Sequence, residues 1–316
     1  MREIGGYIEL DRYALPMLHE GAAALNCGRN GLAYLVRARR IKKMAIPKFL
    51  CGSVSSVCER EGVEIRLYST GMDFMPTDTA LDPGEWLYVV NYYGQLGNDV
   101  LKNLAGKYGR IIVDNAQAYF QMPLEGVDTI YTCRKYFGVA DGAFLYTDAM
   151  IEEELPRDES FERMRFLLGR FERTASEFYP EYAANNGLFA EEPVKKMSRL
   201  TENLLHGIDY GETRRRRTEN FACLHEALQK MNRLQLSVAD GAFMYPLYIE
   251  GGARIRRELQ KDGIYVPMLW PDVLAVCGEG ELEYDMADNI LPLPVDQRYR
   301  IEDMEYLTQE VLRCIG

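Results

Sequence analysis

Asp114 closes the apolar run Arg110-Ile111-Ile112-Val113-Asp114. If that run is a strand, the carboxylate emerges at the carboxyl end of a sheet, the edge at which open α/β folds take ligands. An Asp at that point is equally a good turn and cap residue. Gln117, three residues on, can reach the same place. Lys135 follows Asp114 by 21 residues, inside Thr132-Cys133-Arg134-Lys135-Tyr136-Phe137-Gly138. A lysine set among aromatics either snorkels to solvent or is a desolvated amine suited to condensing with an aldehyde. Arg134, if turned inward, would depress its pKa further. A third feature is Gly28-Arg29-Asn30-Gly31, which opens a stretch of helical period. Free N–H groups at such a turn suit an anion, and a plain glycine turn is the alternative. Neither a Walker spacing nor Gly-x-Gly-x-x-Gly is present, which argues against nucleoside triphosphates and NAD.

An anion cradle, a carboxylate at a strand end and a lysine are the three partners that pyridoxal phosphate needs, for its phosphate, ring nitrogen and aldehyde. In these residues the sequence resembles the fold-type-I pyridoxal-phosphate enzymes, as a divergent member of the DegT/DnrJ/EryC1/StrS aminotransferase family. The resemblance is densest over residues 26–148. Asp114-Asn115-Ala116-Gln117 is similar to the family's Asp-x-Ala-His/Gln, and Thr132-x-x-Lys135 to its Ser-to-Lys region. Cys27-Gly28-Arg29-Asn30-Gly31-Leu32 stands where the family has Ser-Gly-Thr-x-Ala-Leu. Farther on, Arg215, Arg216, Asn220 and Phe221 resemble the helix that opens the family's small domain.

The resemblance implies an aminotransferase acting on a keto-sugar or similar carbonyl compound, with a small amino donor, in a homodimer whose active sites are completed by the partner chain. It implies that Asp114 keeps the pyridine nitrogen protonated, that Gln117 meets the ring hydroxyl, and that Lys135 forms the internal aldimine and shuttles the proton. The phosphate falls to Gly28, Arg29, Asn30, Gly31 and the Thr132 hydroxyl. Three departures stand out. Cys51 occupies the place of the aromatic that stacks on the ring, a task left to Cys51, Tyr92 or Tyr93. Ala140-Asp141-Gly142-Ala143 replaces the family's Gly-Glu-Gly-Gly, and Arg29 and Asn30 are bulkier than the usual residues. Alternatives are another pyridoxal-phosphate reaction on the same fold (dehydratase, lyase or decarboxylase) and a non-catalytic ligand-binding scaffold. Retention of both Asp114 and Lys135 weighs against the scaffold.

The elements that must position these residues alternate. The pattern predicts a helix from Gly28, a short strand at Ala45-Ile46 before Pro47, and a helix over 52–61 with Val54 and Val57 inward. Strands follow at 63–68, 86–91, 110–114, 127–132 and 143–147, with a helix over 99–108. Short apolar strands alternating with helices give an α/β fold, a mostly parallel sheet covered by helices on both faces. Residues 149–178 read as charged helix, 179–189 as irregular, and 194–230 as one long amphipathic segment. Strand-like 243–250 and 264–266, with helices over 252–262 and 302–314, give a smaller C-terminal α+β domain. The expected division is a cofactor-binding domain over 1–200 and a small domain over 201–316. Of the arginines 214–217, successive helical positions point apart, so most belong on a solvated or interface face. Asn185-Asn186-Gly187 is either a loop reaching into a neighbour or a turn. Tyr265 and Trp270 are expected in the core.

Composition narrows the classes. Basic residues number 37 against 48 acidic, for a net charge of −11, which argues against nucleic acid and anionic membranes as partners. No apolar run approaches a membrane span, and Met1–Gly6 lacks a signal-peptide layout. The seven cysteines are scattered without a Cys-x-x-Cys, and His19, His206 and His225 have no metal-ligand spacing, so no metal site is expected. A soluble cytoplasmic protein is the expectation.

Overall fold

The computed structural model describes residues 4–77 and 79–316; the first three residues of the Met1–Gly6 stretch lie outside them. Eight strands form one sheet: β1 (Ala23–Leu25), β2 (Lys43–Pro47), β3 (Glu64–Thr70), β4 (Pro76–Thr77), β5 (Trp86–Val90), β6 (Ile111–Asp114), β7 (Asp128–Thr132) and β8 (Ala143–Tyr146), in the order β1-β8-β7-β6-β5-β2-β3-β4. The pairings from β3 through β2, β5 and β6 to β7 are parallel, while β4 and β8 run against their neighbours. Buried, apolar runs such as Ile111-Ile112-Val113 suit this interior position, where both faces are covered. Helices α1 (Gly28–Arg39), α2 (Gly52–Arg60) and α3 (Asn98–Tyr108) follow β1, β2 and β5. Helix α1 buries Leu32, Leu35 and Val36 and stops at Arg40, whose φ of 54° is left-handed. Val54 and Val57 of α2 are buried as their spacing requires.

Beyond β8 the chain departs from its sequence reading. Only α4 (Arg165–Glu172) and a 3₁₀ turn at Phe161–Arg163 are helical within 149–178. Arg157 instead forms a parallel bridge with Lys196, whose backbone bonds to both sides of it (Lys196 N to Pro156 O, 2.8 Å; Asp158 N to Lys196 O, 3.0 Å). The expected irregular stretch at 179–189 is a helix, α5 (Tyr179–Leu188), with Pro180 in its first turn, where its missing N–H costs nothing. The segment 194–230 is broken into α6 (Arg199–Leu205) and α7 (Tyr210–Leu228). Each begins at its own cap: Ser198 accepts from Thr201 N and Asp209 from Glu212 N.

The remainder holds β9 (Met244–Tyr248), α8 (Gly252–Lys261), α9 (Val273–Val276), α10 (Leu282–Asn289), β10 (Ile290–Pro294) and α11 (Ile301–Ile315). β9 and β10 pair antiparallel over a second apolar cluster that includes Phe221, Leu224, Leu247, Leu291 and Val311. No strand forms at 264–266, and Tyr265 is exposed, contrary to expectation. Trp270 is buried against Phe49, Tyr92 and Tyr93.

Candidate active site

Because β1, β2, β5, β6 and β7 point the same way, the segments that leave their carboxyl ends share one edge of the sheet. That edge gathers Gly28–Gly31, Cys51, Tyr92–Gly94, Asp114–Gln117 and Thr132–Lys135.

Asp114 sits between Val90 of β5 and Ile130 of β7 in the register. Its Oδ1 accepts from Ala116 N (2.8 Å), closing the local turn, and its Oδ2 accepts from the Tyr88 hydroxyl (2.8 Å). Burial and the adjacent carboxylate push the Tyr88 hydroxyl well above its ordinary pKa, so it remains a donor. Gln117 is buried and accepts Tyr93 N through Oε1 (2.8 Å). Its amide nitrogen has no hydrogen bond among the described residues. Tyr93 holds a φ of 54°, and both Tyr92 and Tyr93 are fully buried against Phe74 and Trp270. Cys51, half-buried at the start of α2 with its sulfur 2.9 Å from Ser53 Oγ, is the one of the three ring-stacking candidates that keeps exposed surface.

The start of α1 offers donors. Gly31 N bonds back to Cys27 O (3.1 Å), so the N–H groups of Gly28, Arg29 and Asn30 find no backbone acceptor, and no side chain caps them. Beside them lies the Cys27 thiol, pushed up to about 11 by burial and therefore neutral. The buried Asn30 side chain is spent on structure, donating to Asn26 Oδ1 and Pro193 O at 2.8 Å each. Arg29 donates to the Asn186 carbonyl (2.8 Å) and Arg134 to Asn186 Oδ1 (3.3 Å). Thr132 is half-buried, and its hydroxyl has no partner among the described residues.

Lys135 is exposed in this single chain rather than enclosed, with Nζ 5.3 Å from the centre of the Phe243 ring. The next residue ties its loop to the C-terminal elements. Tyr136 O accepts from Gln297 Nε2 (2.7 Å) and Arg217 Nη2 (3.3 Å), and the Arg217 guanidinium lies 4.5 Å from the Tyr136 ring centre. Of the four successive arginines, Arg214, Arg215 and Arg216 face acidic partners at the surface, while Arg217 is fully buried. Asp141 is buried under Ser198 N, Ser198 Oγ and Thr201 Oγ1, which makes it part of the α6 cap. Gly142 beside it has a φ of 117°, and a Cβ there would lie 3.1 Å from Cys133 and Thr201.

Tyr88, Phe243 and Gln297 carry no signal in the sequence, since each joins the site through register or through a distant element. Two other features lie apart. A groove of about 460 Å³ on α4, lined by Phe161, Leu168 and Phe178 among others, is lined by none of the candidate residues. Cys277, Glu281 and Glu283 bring their ligand atoms within 4.8 Å of one another, and the Lys48 amine already supplies the cation on Glu281.

No family model matches the sequence, and no curated protein matches it. Solved structures do. The sugar aminotransferase CalS13 from Micromonospora echinospora matches with a TM-score of 0.62 at 16% identity, over 92% of this chain and 86% of that one. A DegT DnrJ EryC1 StrS aminotransferase from Brucella abortus matches at 0.59 and 15%, over 93% and 86%. NtdA from Bacillus subtilis, with bound cofactor PMP, matches at 0.66 and 13%, over 93% and 73%. This chain has the fold of these proteins.

Proposed function

We propose that this chain is a pyridoxal-phosphate-dependent aminotransferase, a divergent relative of the DegT/DnrJ/EryC1/StrS enzymes, which transfers an amino group from a small donor to a keto-sugar or similar carbonyl compound. The observation that carries the reading is topological: the uncapped start of α1, Asp114 and the loop that bears Lys135 all follow the carboxyl ends of like-directed strands at one sheet edge. That donor set fits the cofactor: free N–H groups for a dianion, a carboxylate for a pyridinium, an amine for an aldehyde. When bound, pyridoxal phosphate supplies an electron-accepting ring that stabilises the carbanion formed at the substrate carbon.

The chain's own residues do the rest. Asp114, oriented by Tyr88 and Ala116, holds a proton on the ring nitrogen. The free amide nitrogen of Gln117 would donate to the ring hydroxyl oxygen, and Cys51 would cover the ring. Lys135 Nζ would be the amine that holds the cofactor through its aldehyde and, when free, the base that would move the proton at the substrate carbon. The N–H groups of Gly28, Arg29 and Asn30, with the Thr132 hydroxyl, hold the phosphate.

The working unit is a homodimer in the cytoplasm. Support comes from the exposure of Lys135, which leaves this side of the site open, and from apolar side chains on α4 and α5: Phe171 is 94% exposed, and Leu168 and Tyr179 are exposed as well. All seven cysteines are unpaired, as suits a reducing compartment. Borohydride reduction of the purified holoprotein followed by peptide mass mapping tests the cofactor and the lysine together. The label is expected on Lys135 and is expected to vanish in Lys135→Ala. A label on another lysine, or no reducible chromophore at all, overturns the reading.

A further inference from the structure

The two arginines at the anion end of the site have a shared peculiarity. Arg29 is the second residue of α1, and Arg134 stands two residues after Thr132, so both rise beside the free N–H groups. Their guanidinium groups converge on one residue, Asn186, whose carbonyl takes Arg29 and whose side-chain oxygen takes Arg134. Both acceptors are neutral. Neither arginine has a carboxylate partner among the described residues, and each has five N–H donors of which one is used in these contacts. Nearby arginines are treated differently: Arg163, which shares the Phe189 ring with Arg134, is paired with Asp158 at 2.7 Å. Burial depresses the pKa of Arg134, and the charges of Arg29 and Arg163 act the same way. Two adjacent half-buried cations, neither neutralised by a carboxylate among the described residues, repel each other until an anion joins them.

We infer that Arg29 and Arg134 form a guanidinium fork that grips the phosphate of the cofactor, with Asn186 fixing the two side chains in position. The inference rests on the reading that this edge binds pyridoxal phosphate, and deepens it by giving the phosphate two charged ligands where the sequence pattern offers only backbone and one hydroxyl. Placement decides between phosphate and a substrate carboxylate: the pair stands at the α1 start, not beside Asp114. Planar guanidinium groups suit the three equivalent oxygens of a dianion.

The test uses the resolved apoprotein titrated with pyridoxal phosphate and, separately, with pyridoxal, following absorbance of the bound chromophore. Arg29→Gln and Arg134→Met are each expected to weaken pyridoxal phosphate by tenfold or more, about the loss of one charge-assisted bond, and to leave pyridoxal within about twofold, since it has no phosphate to lose. Inorganic phosphate should compete with pyridoxal phosphate for the wild type and stop competing in the double variant. Arg134→Lys, which keeps a cation without the fork, should fall between, and it carries the test with Arg29→Gln if Arg134→Met fails to fold. Unchanged pyridoxal phosphate affinity, or equal losses for both ligands, overturns the fork while the proposed cofactor stands. A wild-type protein that binds neither ligand overturns the proposed function and the fork with it.

Discussion

The Tyr88 hydroxyl donates to Asp114 Oδ2 at 2.8 Å, from the strand next to the one that Asp114 ends. On the other oxygen, Ala116 N closes a tight turn at 2.8 Å. The carboxylate is thus both a turn cap and a fixed charge, and the two roles are compatible, because each carboxylate oxygen has a lone pair left. What Tyr88 adds is direction: with one oxygen tied along the sheet and the other to the turn, the group cannot swing away from the sheet edge.

Tyr88→Phe keeps the ring packing and removes that tie. A drop in kcat of about tenfold is expected, with a stability loss of about 1.5–3 kcal/mol for one neutral-to-charged bond. Asp114→Asn should lower kcat much further, since an amide no longer favours a protonated ring nitrogen, yet the borohydride-reducible adduct should persist because Lys135 is intact. Steady-state rates beside the absorption spectrum separate the two. An Asn variant at the wild-type rate would leave Asp114 as a turn cap alone.

Within the run Arg214–Arg217, neighbouring arginines should behave very differently. Arg217 donates to the carbonyls of Ala242 (2.9 Å) and Tyr136 and to Gln297 Oε1 (2.7 Å); Tyr136 O keeps Gln297 Nε2, but Arg217→Met leaves the buried Ala242 carbonyl and Gln297 Oε1 without these donors. A loss of about 3 kcal/mol is expected. Arg215 lies in exposed, solvent-screened pairs with Glu212 and Glu219, and Arg215→Ala should leave the urea midpoint nearly unchanged. Urea unfolding of both variants gives the comparison. A similar loss in both would mean that Arg217 does not bridge α7 to the Lys135 loop.

How much of this was legible follows from where the information lies. The strands and helices up to β8 are written in local periodicity: Ile111-Ile112-Val113 and the Leu32, Leu35, Val36 spacing need no partner to be read. The Asp114–Lys135 separation and the glycine turn are local too, so the edge that carries them was visible in the sequence. Helix α5 was not, because Asn185-Asn186-Gly187 is a poor helical sequence; tertiary contacts favour it, including Arg29 and Arg134 at its last turn and Asn185 Nδ2 on Ala140 O. β10 hides behind Pro292 and Pro294, which are tolerated in a two-stranded ribbon. The buried place of Arg217 is a matter of helix rotation against β9, and no run of four identical residues reveals that.

The same distinction applies to His19, which the sequence offered only as a histidine without metal spacing. It is fully buried in a ring of Tyr119, Tyr131, Phe144 and Tyr146, and its pKa is lowered to about 4 by desolvation. Nε2 lies 2.9 Å from the Tyr119 carbonyl, which can only accept, so Nε2 carries the proton and Nδ1 accepts from the Tyr146 hydroxyl at 3.1 Å. Through Tyr119 this contact holds the segment before β1 against the loop that carries Gln117. Above pH 6.5 the ring is neutral in both folded and unfolded chains and contributes no pH dependence. As pH falls through 6.5 the unfolded chain takes up the proton and the native one does not, so stability drains away down to the folded value near 4. By pH 4.5 the loss should reach about 2–3 kcal/mol, at about 1.4 kcal/mol per unit. Carboxylates titrate in the same range, so the measurement is a difference: urea unfolding from pH 7 to 4.5 for the wild type and for His19→Gln, whose amide can still donate to the Tyr119 carbonyl. The Gln variant should give the flatter profile, whatever its stability at neutral pH. Parallel profiles would show that the ring gains its proton without opening the site, and that the acid sensitivity belongs to other groups.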